Sequence, residues 1–164
     1  MKNLYIIGGT MGVGKTATCK LLKQKLDKAV FLDGDWCWDA DPFQITAETK
    51  SMVLNNISYL LNRFIRCTAY ENIIFCWVMH QQEVIDAILA RLDVRGCNTK
   101  LISLVCHTAA LTQRLQKDIA AGSRQPDVIE RSVCRLNLYD KLNTLKINVS
   151  DITAETAAEK IAAL

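Results

Sequence analysis

The chain reads as an α/β fold in which a parallel sheet is covered by helices on both faces. Three observations predict it: short apolar runs without polar alternation, helical patterns between those runs, and few residues that break either. The runs are Leu4–Ile7, Ala29–Leu32, Ile73–Met79, Leu101–Cys106 and Leu145–Val149. A strand covered on one face alternates apolar with polar residues, whereas one covered on both is apolar throughout, as these are. They predict five parallel strands. Regular alternation of strand and helix selects a doubly wound arrangement, with functional groups at the carboxyl ends of the strands.

The helices are expected at Lys15–Leu26, Ala47–Cys67, Glu83–Leu92, Thr108–Ala121, Val128–Leu142 and from Thr153 to the end. In the second, Val53, Ile57, Leu60, Leu61, Phe64 and Ile65 recur at the spacing of one buried helix face. The chain has 164 residues, 50% of them apolar and 23% charged, with two prolines and seven glycines. That composition belongs to a folded chain rather than a disordered one, and the length suits a single domain over residues 1–164.

Twenty Lys and Arg against 17 Asp and Glu is too even a balance for a nucleic-acid stripe. It favours a small anionic ligand weakly. Seven cysteines, at 19, 37, 67, 76, 97, 106 and 134, form no C-x-x-C pair and read as reduced thiols, hence a cytoplasmic protein. The apolar stretch before the first glycines is short for a signal peptide, and no run reaches the ~18 apolar residues of a membrane helix. No His/Cys spacing predicts zinc.

The stretch Gly9-Thr10-Met11-Gly12-Val13-Gly14-Lys15-Thr16 fits G-x-x-x-x-G-K-[ST], the P-loop, and follows an apolar strand and opens a helix as that motif requires. Glycines let the backbone curl so that successive N–H groups point inward, and the helix adds its positive end; the natural occupant is an anion. Lys15 is placed to reach the β- and γ-phosphates of ATP, and the Thr16 hydroxyl to ligate Mg²⁺. Thr18, just inside the helix, is counted with the nucleotide-binding residues.

After the second strand come Asp33, Gly34 and Asp35. In an extended segment residues two apart share a side, so both carboxylates are expected to face one cleft. One can hold Mg²⁺ and the other accept a proton from a substrate hydroxyl. An Asp-Gly turn with solvated acids is the plainer alternative.

With these residues the chain resembles the small P-loop kinases, a group that includes shikimate kinase, adenylylsulfate kinase, gluconate kinase, chloramphenicol phosphotransferase and the nucleoside monophosphate kinases. The likeness rests on the P-loop, on Leu32-Asp33-Gly34-Asp35, on the arginine-bearing helix after the fourth strand and on Ile147-Asn148-Val149-Ser150-Asp151-Ile152-Thr153. It implies a P-loop NTPase fold: a three-layer sandwich with strand order 2-3-1-4-5 and a helical lid near residues 112–128. It also implies phosphoryl transfer from ATP to a small acceptor. By position, Asp33 matches the acid near Mg²⁺ and Asp35 the acid at the acceptor hydroxyl. Ser150 and Asp151 match the loop that cradles the adenine. The third strand departs from shikimate kinases, ending in Trp77-Val78-Met79-His80 where they carry glycines and a carboxylate-gripping arginine.

Phosphoryl transfer needs cations around the migrating group and exclusion of water. Arg124, beside Gly122-Ser123, resembles the lid cation of the group, with Arg114 in support at both the nucleotide and the transferring phosphate. Arg131 and Arg135 lie four apart on one expected helix and so share a face; Arg135 with Tyr139 resembles a substrate-contacting pattern. Trp36, Trp38, Phe43, Trp77, Met79 and His80 are expected to meet around a flat or ring-shaped acceptor, or else to pack a loop on the sheet. Thr153 is also a candidate helix N-cap.

Two function classes remain open on these residues. One is a kinase for a small metabolite, nucleoside, nucleotide or antibiotic, acting as monomer or homodimer without nucleic acid or membrane. The other is a nucleotide-binding regulatory protein that keeps the P-loop without acceptor chemistry. A kinase for nucleic-acid ends is disfavoured by the near-neutral charge.

Overall fold

A computed structural model describes residues 1–164. Five strands form one parallel sheet in the order β2-β3-β1-β4-β5. They are β1 Lys2–Gly8, β2 Ala29–Asp33, β3 Asn72–Trp77, β4 Cys97–Val105 and β5 Leu145–Asn148. Seven helices intervene: α1 Lys15–Lys25, α2 Ala47–Arg66, α3 Gln82–Leu89, α4 Thr108–Ala120, α5 Val128–Val133, α6 Leu136–Tyr139 and α7 Ala154–Ala162. A 3₁₀ turn at Gly34–Cys37 follows β2.

Strand pleating sends alternate side chains of β1 to opposite layers. Leu4 and Ile6 join a core with Val53, Ile57 and Leu61 of α2 and Ile85 and Ile88 of α3. Tyr5 and Ile7 join the other, with Cys19 and Leu22 of α1 and Ala157, Ala158 and Ile161 of α7. Both faces of the sheet are therefore dry, which is why its strands carry no polar alternation. Ile57 and Leu61 are wholly buried, a burial worth about 1.5–3 kcal/mol for each side chain.

Helix α2 begins where the Thr46 hydroxyl accepts from the Thr49 amide and the Thr49 hydroxyl accepts from the Thr46 amide, a reciprocal capping box. Arg63 and Arg66 lie in its last turn, where cations suit the helix dipole. Thr153 caps α7 by accepting from the Thr156 amide at 3.1 Å. All seven cysteines are free. No helix is long and apolar enough to cross a membrane.

The structure corrects three expected boundaries. Strand β3 leaves the sheet at Trp77, so Val78 and Met79 belong to the connection. Strand β4 starts at Cys97 rather than Leu101, because β1 continues beside it: Lys2 pairs with Cys97 and Tyr5 with Lys100, which carries the ladder through polar Asn98 and Thr99. The expected helix Val128–Leu142 is two, α5 and α6, parted at Cys134 and Arg135. Arg131 and Arg135 consequently have separate surroundings: Arg131 is exposed and paired with Asp127 at 3.0 Å, whereas Arg135 is half-buried without a carboxylate partner.

Candidate active site

Gly8, the last residue of β1, is flanked by Trp77 of β3 and Ser103 of β4, so the loop it feeds emerges at the carboxyl edge of the sheet centre. At Gly12 the backbone takes φ 81°, and a methyl group there would lie 2.8 Å from Leu115 Cγ. Glycine is the residue that permits both the left-handed turn and the close approach of α4. Gly14 is the N-cap of α1 with no side-chain cap, and the first turn carries no acid. The helix thus presents free N–H groups and an unopposed positive end to the loop.

Lys15 Nζ donates to the Thr10 carbonyl at 3.0 Å, bent back over the loop. Burial holds its pKa below the usual lysine range, opposed by the carboxylates of Asp35 and Asp33 and reinforced by the Arg124 guanidinium. Thr16 Oγ1 donates to Asp33 Oδ2 at 2.7 Å, and the Asp35 amide donates to Asp33 Oδ1 at 3.1 Å. Asp33 is only 5% exposed. A hydroxyl and a carboxylate in contact are hard oxygen donors of the kind Mg²⁺ takes. No group of three or more His, Cys, Asp or Glu residues gathers to hold a metal, so an ion here would complete its shell with phosphate and water, as Mg²⁺ does.

The aspartates do not lie on one extended segment as expected. Asp33 ends β2 and caps the 3₁₀ turn, while Asp35 sits within that turn and is exposed. Their separation into a buried and an exposed carboxylate comes from the turn, not from strand pleating. Asp35 Oδ1 accepts from Trp77 Nε1 at 3.0 Å. Gly34 makes this possible, because a methyl group on it would stand 2.7 Å from Trp77 Cδ1.

A 3₁₀ turn repeats every third residue, which places Trp38 with Asp35 and sends Trp36 elsewhere. Trp38 meets Trp77 edge-on at 5.7 Å and Phe43 at 4.8 Å. Trp36 instead stands 55% exposed against Phe31, 5.2 Å away on the α1 side of the sheet. The structure therefore assembles Trp38, Phe43 and Trp77 beside Asp35 and removes Trp36 from the group. Met79 is removed as well: it is buried in the α2 core, as is Tyr139, the expected companion of Arg135. A cavity of about 210 Å³ opens beyond Trp38, lined by Ala40, Pro42, Gln44, Thr49 and Met52. His80 follows β3, and its Nδ1 is buried without a partner. Burial first, and the charge of Arg135 second, hold its pKa below the ordinary histidine value.

A second cavity of about 210 Å³ lies on the other side of the P-loop, where Val13, Gly14 and Thr18 face Arg114, Val149 and the start of α7. Arg114, expected at both the nucleotide and the transferring phosphate, lines this cavity and donates to the carbonyls of Val13 at 3.3 Å, Ser150 at 3.4 Å and Val149. Of the loop after β5, Ser150 accepts from the His107 amide at 2.8 Å, and Asp151 is exposed outside the cavity lining. Ala154 and Ala157 also line the cavity. They escaped sequence reading because methyl groups at a helix start look like ordinary core.

Arg124 lies in the α4–α5 connection, its Nε on Asp118 Oδ2 at 3.0 Å. Gly122 takes φ 74°, and the Gly122 and Ser123 amides return to the carbonyls of Ile119 and Asp118. That pair of bonds is a Schellman ending of α4.

Sheet order, P-loop and helix placement together define a P-loop α/β protein of the architecture found in small kinases. A family model described as an AAA domain matches residues 6–135, and the chain belongs to that family. Among solved structures, it is similar to the tunicamycin resistance protein of Deinococcus radiodurans, with 20% identity, a TM-score of 0.72 and coverage of 99% of this chain and 95% of that one. A sugar kinase from Janibacter sp. matches at 13% identity and TM-score 0.72 over 99% and 94% of the two chains. The APS kinase of Mycobacterium tuberculosis, solved with AMPPNP and APS, matches at 14% identity and TM-score 0.68 over 99% and 96%. At such identities the likeness is one of fold. No curated protein matches the sequence.

Proposed function

We propose that this chain is an ATP- and Mg²⁺-dependent kinase that transfers the γ-phosphoryl group to a hydroxyl or phosphate of a small molecule. One observation carries the reading: the Thr16–Asp33 contact at the mouth of the P-loop, with Asp35 exposed just beyond it. A protein that only bound nucleotide needs the P-loop alone, so Asp35, exposed beside it and held by Trp77, is the residue that discriminates against the regulatory alternative.

Lys15 exchanges the Thr10 carbonyl for the β- and γ-phosphates, gaining a charged partner in place of a neutral one. Thr16 and Asp33 would hold Mg²⁺, which when bound offsets phosphate charge. Asp35, aimed by Trp77, accepts the proton of an acceptor hydroxyl as its oxygen bonds to the γ-phosphorus and the bond to the ADP oxygen breaks. Arg124 supplies the lid cation after leaving Asp118. Arg114 acts at the base end, flanking the nucleotide's ring in the cavity beside Val13. The acceptor occupies the side bounded by Asp35, Trp38, Trp77, His80 and Arg135.

The test is calorimetric binding of ADP and ATP with Mg²⁺, followed by ADP release across sugars, nucleosides, nucleotides and hydroxylated antibiotics. Binding without ADP release for any acceptor would favour the regulatory alternative; no binding would sink both.

A further inference from the structure

The break between α5 and α6 has a partner in the P-loop. Ser132 lies in the last turn of α5, which ends at Val133, where helix carbonyls run out of intrahelical donors. Thr10 Oγ1 donates to the Ser132 carbonyl at 2.9 Å. Both residues are 0% exposed. The bond joins positions 122 apart in sequence, and water cannot take its place without opening the interface.

The same Thr10 carries, on its carbonyl, the Lys15 ammonium at 3.0 Å. Further along the loop, the Val13 carbonyl accepts from Arg114 of α4 at 3.3 Å. The two helices that flank the connection bearing Arg124 are therefore each bonded to the phosphate-binding loop, α4 from Arg114 to Val13 and α5 from Ser132 to Thr10. Arg124 itself is held on Asp118 of α4.

We propose that Thr10 is a positioning residue for the lid cation: its hydroxyl fastens α5 to the P-loop, so that nucleotide occupancy of the loop sets where Arg124 stands. The inference rests on the kinase reading for what Arg124 does, but its test needs only nucleotide. When phosphates take Lys15 from the Thr10 carbonyl, the loop's N–H groups close on them and fix the Thr10 peptide in a new position. The hydroxyl on the same residue carries that movement to Ser132, and so to the connection between α4 and α5. A purely structural bond would stabilise the fold equally in both states.

The experiment is amide hydrogen exchange over residues 121–133, with and without ADP and Mg²⁺, in wild type, Thr10→Val and Thr10→Ser. Valine keeps the shape and deletes the hydroxyl; serine keeps the hydroxyl. In wild type, exchange over this segment should slow by about tenfold on ADP binding, the equivalent of one hydrogen bond. Thr10→Val should lose that slowing even when calorimetry shows it saturated with ADP, and Thr10→Ser should restore it. Wild-type slowing retained in Thr10→Val would overturn the proposal. So would slowing that returns in Thr10→Val once ADP is raised to saturation, since the hydroxyl would then serve only the affinity of the loop. If Thr10→Val does not fold, wild type decides alone: bound ADP with unchanged exchange over α5 refutes the coupling. Failure of ADP to bind wild type would instead overturn the nucleotide reading itself.

Discussion

Thr16 and Asp33 meet at 2.7 Å, bridging the start of α1 and the end of β2. The contact joins the P-loop to the turn after β2, and under the proposed kinase reading it gives the two aspartates different work. Asp33→Asn should weaken the Mg²⁺ dependence of transfer and slow it. Asp35→Asn should leave ATP affinity nearly intact while transfer falls by about 10²-fold or more, the scale of general acid–base help. Titrations of rate against Mg²⁺, beside calorimetric ATP affinities, check this; equal loss of nucleotide affinity in both variants would refute the division.

Lys15 is the cation that an incoming phosphate recruits. ATP or ADP with Mg²⁺ at about 100 times its dissociation constant should stabilise the fold by ~2.7 kcal/mol. Lys15→Ala should remove most of that gain. Thermal melts with millimolar nucleotide are the measurement, and an unmoved wild-type melting temperature would be incompatible with the P-loop assignment.

Under the proposed function the two arginines should fail differently, because Arg114 bonds carbonyls beside the cavity at Val13 and Arg124 stands in the α4–α5 connection. Arg124→Ala should lower turnover by up to ~10³-fold with little change in ADP affinity, as a transition-state cation does. Arg114→Ala should chiefly weaken nucleotide binding. Steady-state kinetics and calorimetry on the pair check it; a shared pattern in both variants would contradict the placement of Arg114.

His80 gives a prediction in pH. Its folded pKa lies below the ordinary 6.5, through burial and then Arg135. A base depressed in this way contributes stability that is complete above the unfolded pKa and lost as pH falls through the folded one. Going from pH ~7.5 to ~5.5 should therefore lower the wild-type melting temperature more than that of His80→Gln. Parallel melting curves for the two would remove His80 from the acid-sensitive groups.

Much of this molecule is legible in the sequence. Gly9–Thr16 announces the loop because the glycine spacing and the Lys-Thr pair each have a separate physical duty, and apolar runs announce strands buried on both faces. What escapes is set by partners distant in the chain. Strand β4 begins in polar residues because β1 continues beside it, the last turn of α5 bonds to Thr10 122 positions away, and Arg114 turns to carbonyls that sequence spacing cannot locate. Trp36 and Trp38 differ only by position on a 3₁₀ turn that strand-like alternation did not foresee.

Gly34 bears on how acceptor preference could change over evolution. Since Trp77 lies where any side chain at Gly34 would collide, these two positions are locked together, and altering either displaces the carboxylate of Asp35 that Trp77 holds. Phe43, at 52% exposed and touching Trp38 from outside, carries no such obligation. If this is the acceptor side, as proposed, selection for a new acceptor meets a rigid inner wall and a replaceable outer one, so variation should accumulate at Phe43 and around the Trp38 cavity while Gly34 and Trp77 stay as a pair.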